Sequence, residues 1–246
     1  RGPGTTSLLD TTPLQRTGRF TSGSIARLMS LGRDNISFGK PAFTYIAEKN
    51  MERRLGRTLA TGTDTRPMAW GRVLQHRAFQ LLGAGYWFNM QTIAHPVHGS
   101  FWAGTPDMQK FDTGATVVEV KCPFTIKSFC QLADCTNIDE VREEHPDGET
   151  YYWQLVSNAI LTGAQHAELV AYCPYRSELP AIRKHAPAAD TGACKTHWIS
   201  TATDDELPWL PDGGYYKNIH IIRFAIDDTD RQLLTEKVIE ASNLLV

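Results

Sequence analysis

The sequence of 246 residues has no apolar run long enough to cross a bilayer and no stretch patterned like a secretion signal. A membrane-embedded or exported class is not expected, and the reading places the protein in the cytoplasm. Cysteine is scarce. The five, at positions 122, 130, 135, 173 and 194, form no Cys-x-x-Cys pair and are odd in number. Those spacings fit neither a zinc nor an iron–sulfur site, so they read as reduced thiols. Charge of one sign is also lacking. With 25 basic and 27 acidic residues the net charge is −2. A polyanionic partner would have to be met by local charge. No internal repeat and no convincing domain boundary interrupts the chain.

What is present supports one large core: 41% hydrophobic residues, with six Trp and eight Tyr. Residues 1–19, rich in Gly, Thr, Pro and Arg, read as an extended lead. Residues 20–246 read as a single domain with an irregular insertion at about 175–217. Arg176, Arg183, Lys184, His185 and Lys195 give that insertion local positive charge. Ser24 reads as the N-cap of a first helix with Ile25, Leu28 and Met29 as its stripe. A helix N-terminus preceded by Arg16 and Arg19 suits a phosphate. Residues 41–55 form a second helix, with Phe43, Ile46, Asn50 and Met51 on one face. Residues 68–82 form a third, burying Trp70, Val73, Leu74, Ala78 and Leu81. Strands are expected at 86–93, 101–103, 116–121, 166–172 and 219–226. Residues 124–149 are polar and read as solvated helix or loop. A helix from 150 stops at Gly163, and a last helix buries Leu233, Leu234, Val238 and Ile239. The element order implies a mixed α/β domain, a central sheet of about five strands with helices on both faces.

The stretch at 104–123 carries the chemistry. Thr116 to Val120 is mostly β-branched, as in a strand. Glu119 and Lys121 are two apart and share a strand face, while Val118 and Val120 take the other. Charges on an apolar strand are costly unless they bind or react. Asp107 follows Thr-Pro in a turn, and Gly114 marks a second turn. A hairpin between them brings Asp107 beside Glu119. Two carboxylates with a lysine one position away suit a hard divalent cation. For each residue singly, an exposed pair on an edge strand and a turn aspartate is the simpler reading; the ordered set argues for a metal site.

This pattern, Pro106-Asp107 followed by Glu119-Val120-Lys121, resembles the PD-(D/E)XK nuclease superfamily. Cys122-Pro123 after it is similar to the YqaJ-like viral recombinase branch, that of phage lambda exonuclease. The resemblance implies a restriction-endonuclease-like core and Mg²⁺- or Mn²⁺-dependent hydrolysis of DNA, as a 5′→3′ double-strand exonuclease of phage-type recombination. It implies Asp107, Glu119 and the Val120 carbonyl as metal ligands and Lys121 as the catalytic lysine. Gln154 matches a glutamine near the metal and scissile phosphate. Arg16, Thr21, Ser22 and Ser24 lie where relatives bind a DNA phosphate, with the serine displaced by one. The family's metal-binding Glu, four residues after a Trp-Gly pair, is Gln75 here; an amide oxygen can coordinate but brings no charge. Double-stranded DNA ends, a single-strand-annealing recombinase and other copies of this chain, as in the ring-shaped trimers of lambda-type relatives, are the implied partners. Two alternatives stay open: a catalytically weakened DNA-end-binding protein, and an endonuclease of the same fold in defence or repair.

Overall fold

The computed structural model describes residues 16–59, 65–89, 91–110, 115–190 and 195–246. Gly114, Cys194 and most of the expected lead fall outside them. Strand β1, Phe20–Thr21, runs directly into a 3-10 helix, Ser22–Met29. The N-cap is therefore Thr21, not Ser24. Ile25 and Leu28 are buried three apart, the spacing that a 3-10 turn aligns. Helix α1, Lys40–Leu55, carries Pro41 in its first turn and stops at Gly56, which takes φ 64°. Its buried face is Ala42, Tyr45, Ile46, Lys49 and Glu52. Phe43 and Met51, expected inside, are 52% and 50% exposed. The reason is a buried ion pair, Lys49–Glu52 at 2.8 Å, whose carboxylate also accepts the amides of Gly18 and Leu59 at 2.9 and 3.2 Å. The helix rotates this pair inward because it ties down two flanking segments.

Helix α2, Arg66–Leu82, buries Trp70, Leu74 and Ala78; Val73 is half-buried and Leu81 exposed. The expected strand at 86–93 is two strands in different sheets, β2 (Tyr86–Phe88) and β3 (Ile93–Ala94). Strand β4 is Trp102–Gly104. A short strand that the pattern did not announce, β5 (Met108–Lys110), precedes β6 (Thr116–Lys121). The polar stretch after β6 is not merely solvated. It forms α3 (Ile126–Asp134) and α4 (Ile138–Glu144), capped by the side chains of Thr125 and Asn137. Phe129, Leu132, Ile138 and Val141 are buried beneath them. Helix α5, Gly148–Thr162, stops at Gly163, where φ is 72°. Strand β7, His166–Tyr172, follows. The 175–217 segment, expected irregular, contains α6 (Leu179–His185) and α7 (His197–Thr201) and buries Leu179, Ile182 and Ile199. Two of its arginines, Arg176 and Arg183, pair with Asp204 at 2.8 and 2.6 Å. Strand β8 is Ile219–Ala225. Helix α8, Asp228–Ser242, buries Leu234, Val238 and Ala241 and leaves Leu233 and Ile239 exposed.

The main sheet has the order β2-β5-β6-β7-β8, and β1-β4-β3 form a smaller one. β6 and β7 are parallel, joined by a crossover that carries α3, α4 and α5; the other neighbours in the main sheet are antiparallel. Alternation along β6 divides the core. Val117 joins a cluster with Leu155, Val156 and Val238, whereas Val118 and Val120 join one with Trp70, Leu74 and Ile182. The architecture is the expected mixed α/β domain, a five-stranded central sheet between two helical layers.

Candidate active site

The β5–β6 pairing is antiparallel, with Met108 opposite Val118 and Gln109 opposite Val117. One step further along the same ladder sets Asp107 opposite Glu119. The hairpin read from the sequence thus brings the two acids together at the end of β6. Asp107 accepts the Val120 amide through Oδ2 at 2.8 Å. Its own carbonyl accepts the Asn89 amide at 2.9 Å, and Asn89 Nδ2 donates to the Pro106 carbonyl at 3.0 Å. The Pro106-Asp107 turn is therefore held from both sides.

Glu119 is buried, 4% exposed. Its Oε1 accepts Lys121 Nζ at 2.8 Å and Gln154 Nε2 at 2.6 Å. Lys121 Nζ also donates to Gln154 Oε1 at 2.9 Å. Glutamate, lysine and glutamine close a triangle in which each touches the other two. Tyr151 lays its ring 4.7 Å from Lys121 Nζ, a cation–π contact that restricts the ammonium on a further side. Asn158 Nδ2 lies 3.4 Å from the remaining oxygen, Oε2. Tyr151, Gln154 and Asn158 are at i−3, i and i+4 on α5, one face of one helix. Sequence reasoning found only Gln154. The Gln-x-x-x-Asn spacing, which puts both amides on one helix face, was the signal for Asn158.

Burial pushes the Asp107 carboxyl well above the usual carboxylate range. The neighbouring Glu119 charge adds to the rise, and Lys121, the Val120 amide and the nearby Gln75 side chain oppose it. Gln75 on α2 lies near enough to Asp107 to act on its carboxyl. Burial, with Asp107 nearby, also raises the Cys122 thiol, so it is not a poised nucleophile.

The 3-10 helix begins beside this cluster: a Cβ at Gly23 would stand 4.0 Å from Gln154 Nε2. Thr21 gives its amide to Tyr45 Oη at 2.8 Å, and its hydroxyl lies 3.3 Å from the same oxygen. Ser22 Oγ bonds Ser157 Oγ at 2.9 Å. Both hydroxyls are thus occupied inside the protein. Ser24 and Arg19 are half-buried, and Arg16 is exposed.

No group of three His, Cys, Asp or Glu side chains able to hold a metal occurs among the described residues. The donor set expected from the sequence is two carboxylates, the Gln75 amide oxygen and the Val120 carbonyl. All are hard oxygens, which suits Mg²⁺ or Mn²⁺ and not a thiophilic ion. The residues fit a hard divalent cation.

No protein-family model matches the chain, and no curated protein matches it. Solved structures do. The alkaline exonuclease LHK-Exo from Laribacter hongkongensis is 19% identical, with a TM-score of 0.55 over 93% of this chain and 89% of that one. LHK-Exo in complex with dAMP superposes at a TM-score of 0.58 with 19% identity, covering 96% and 92%. A phage-related exonuclease from Haemophilus somnus 129PT is 15% identical, with a TM-score of 0.61 over 92% of each chain. The chain has the fold of the alkaline and phage-related exonucleases.

Proposed function

We propose that this protein is a DNA exonuclease that hydrolyses phosphodiesters with Mg²⁺ or Mn²⁺. The observation that carries the reading is the buried cluster of Asp107, Glu119, Lys121 and Gln154 at one end of the central sheet. The fold shared with exonucleases along nearly the whole chain supports it. Asp107, Glu119, the Gln75 amide oxygen and the Val120 carbonyl would hold the cation. A bound cation supplies Lewis acidity and offsets phosphate charge. Lys121 orients the attacking water and lends positive charge to the phosphate as negative charge builds there. Gln154 donates to Glu119 and accepts from Lys121, so it fixes both relative to the phosphate. Arg16, Arg19 and Ser24, with the start of the 3-10 helix, contact backbone phosphates; Thr21 and Ser22, whose hydroxyls are bonded inside the protein, set the position of that helix start.

The substrate is an end of double-stranded DNA, cut 5′→3′. The protein works in the cytoplasm as a homo-oligomer, a trimer by resemblance, beside a single-strand-annealing recombinase. No helix among the described residues is long and apolar enough to cross a membrane. One observation favours a second reading, a weakened end-binding protein: Gln75, an amide beside Asp107, stands where the resemblance implies a third carboxylate. Incubation with linear and covalently closed duplex DNA, with Mg²⁺, Mn²⁺ or EDTA, separates the readings. Acid-soluble nucleotides from linear DNA alone support the exonuclease. Nicked circles make it an endonuclease, and binding without product makes it an end-binding protein. Light scattering that finds a monomer with and without DNA removes the trimer.

A further inference from the structure

Asn158 is completely buried, 0% exposed, on a helix whose other buried residues include Leu155, Val156, Ala159 and Leu161. Its Nδ2 points at Glu119 Oε2, 3.4 Å away. Its Oδ1 is buried with no hydrogen-bond partner. A leucine would fill the same space without leaving an acceptor unsatisfied, so the amide is costly where it stands. Its orientation is set by its surroundings. Turning the amide over would bring Oδ1 against the carboxylate oxygen, two acceptors facing each other. On the other side Gly104 closes the seat: a Cβ there would lie 2.8 Å from Asn158 Oδ1, 2.6 Å from Leu161 Cδ1 and 2.0 Å from Ser22 Oγ. The preceding residue, Ser157, is pinned by Ser22 Oγ at 2.9 Å and by Trp102 Nε1 at 3.0 Å. The helix turn that carries Asn158 is thus locked against the 3-10 helix and β4.

We propose that Asn158 is a positioning residue for Glu119. Lys121 and Gln154 both hold Oε1, which leaves the carboxylate free to swing about that oxygen. Asn158 supplies the donor at Oε2 that fixes its plane. The orphaned Oδ1 is the cost of keeping that N–H aimed at the carboxylate. The inference rests on the proposed reading of Glu119 as a metal ligand. Outer partners of metal ligands usually alter metal affinity or activity 10–100-fold when removed.

The test is Mn²⁺ binding, followed by the paramagnetic resonance of free Mn²⁺, to the full chain and to Asn158→Leu, Glu119→Gln and the double variant. Asn158→Leu is expected to weaken Mn²⁺ binding about 10–100-fold. In the Glu119→Gln background the same substitution should change nothing further, because the residue acts through Glu119. An unchanged affinity in folded Asn158→Leu overturns the proposal, as does an equal loss in both backgrounds. If Asn158→Leu does not fold, Asn158→Ala, which removes the donor without adding bulk or charge, decides. Loss of the donor should make Mn²⁺ raise its melting temperature by less than that of the unchanged chain; an equal or larger rise overturns the proposal. Failure of the unchanged chain to bind Mn²⁺ at all would instead overturn the metal-dependent reading.

Discussion

Asp107 reaches across the β5–β6 hairpin to accept the Val120 amide at 2.8 Å. The acid supplied by the turn is therefore tied to the main chain between Glu119 and Lys121. This linkage explains how a two-residue alternation on a strand can place a residue from another segment.

Asp107 is held largely by its surroundings and not by a counter-charge. Its carboxyl is raised by burial and by Glu119. The folded chain then binds the proton more tightly than the unfolded chain, and the resulting stability is present below the ordinary value of 3.8 and lost as pH rises through the raised one. At neutral pH and without metal, Asp107→Asn should raise the melting temperature by about 2–4 °C, the shift for roughly 1 kcal/mol in a chain of this size. Cleavage should fall roughly a thousandfold or more, as several kcal/mol of lost transition-state stabilisation require. A melting scan in EDTA beside a nuclease assay checks both; a destabilised but active variant would make Asp107 structural.

Lys121 touches Glu119, Gln154 and the Tyr151 ring. Lys121→Ala should lower the single-turnover rate by roughly two to four orders of magnitude. Affinity for duplex DNA, measured by fluorescence anisotropy with Ca²⁺ in place of Mg²⁺, should change far less. Equal losses in both would recast Lys121 as a phosphate contact.

Gln75 lends Asp107 an amide where a carboxylate would supply charge. With Glu at this place the site would hold three acids, and the added attraction for a cation would be a few kcal/mol at the effective dielectric of a protein. Gln75→Glu is expected to tighten Mn²⁺ binding, admit a second ion and speed turnover. Calorimetric titration gives the stoichiometry. One ion and unchanged turnover in the variant would remove the two-metal argument.

His145 closes the turn between α4 and α5, just before the helix that carries Gln154. Its Nδ1 accepts the Asp147 amide at 3.1 Å, and its Nε2 lies 2.9 Å from Ser128 Oγ. Burial lowers its pKa below 6.5, with Asp147 opposing. The unfolded chain then binds the extra proton more readily, so stability rises with pH. The contribution is whole above 6.5 and is lost as pH falls from there toward the depressed folded value. Denaturant midpoints measured from pH 5 to pH 8 should show a slope below pH 6.5 that His145→Gln reduces. An unchanged slope would place the titration elsewhere.

The sequence alone determined the chemistry of the strand. Glu119 and Lys121 share a face because strand side chains alternate, and Val118 and Val120 enter the opposite core cluster for the same reason. It also determined where α1, α2 and α5 stop, since glycines at 56, 83 and 163 take positive φ where side-chain-bearing residues are strained. Packing alone decided the rest. Lys49 and Glu52 turned inward against Phe43 and Met51 because Glu52 binds Gly18, 34 residues away. Thr21 and Ser22, legible as surface hydroxyls, were drawn inside by Tyr45 and Ser157. Asn158 meets Glu119 across 39 residues of chain. A buried polar group is tolerable only where a distant segment supplies its partner, and no local pattern of hydropathy records which segment that is.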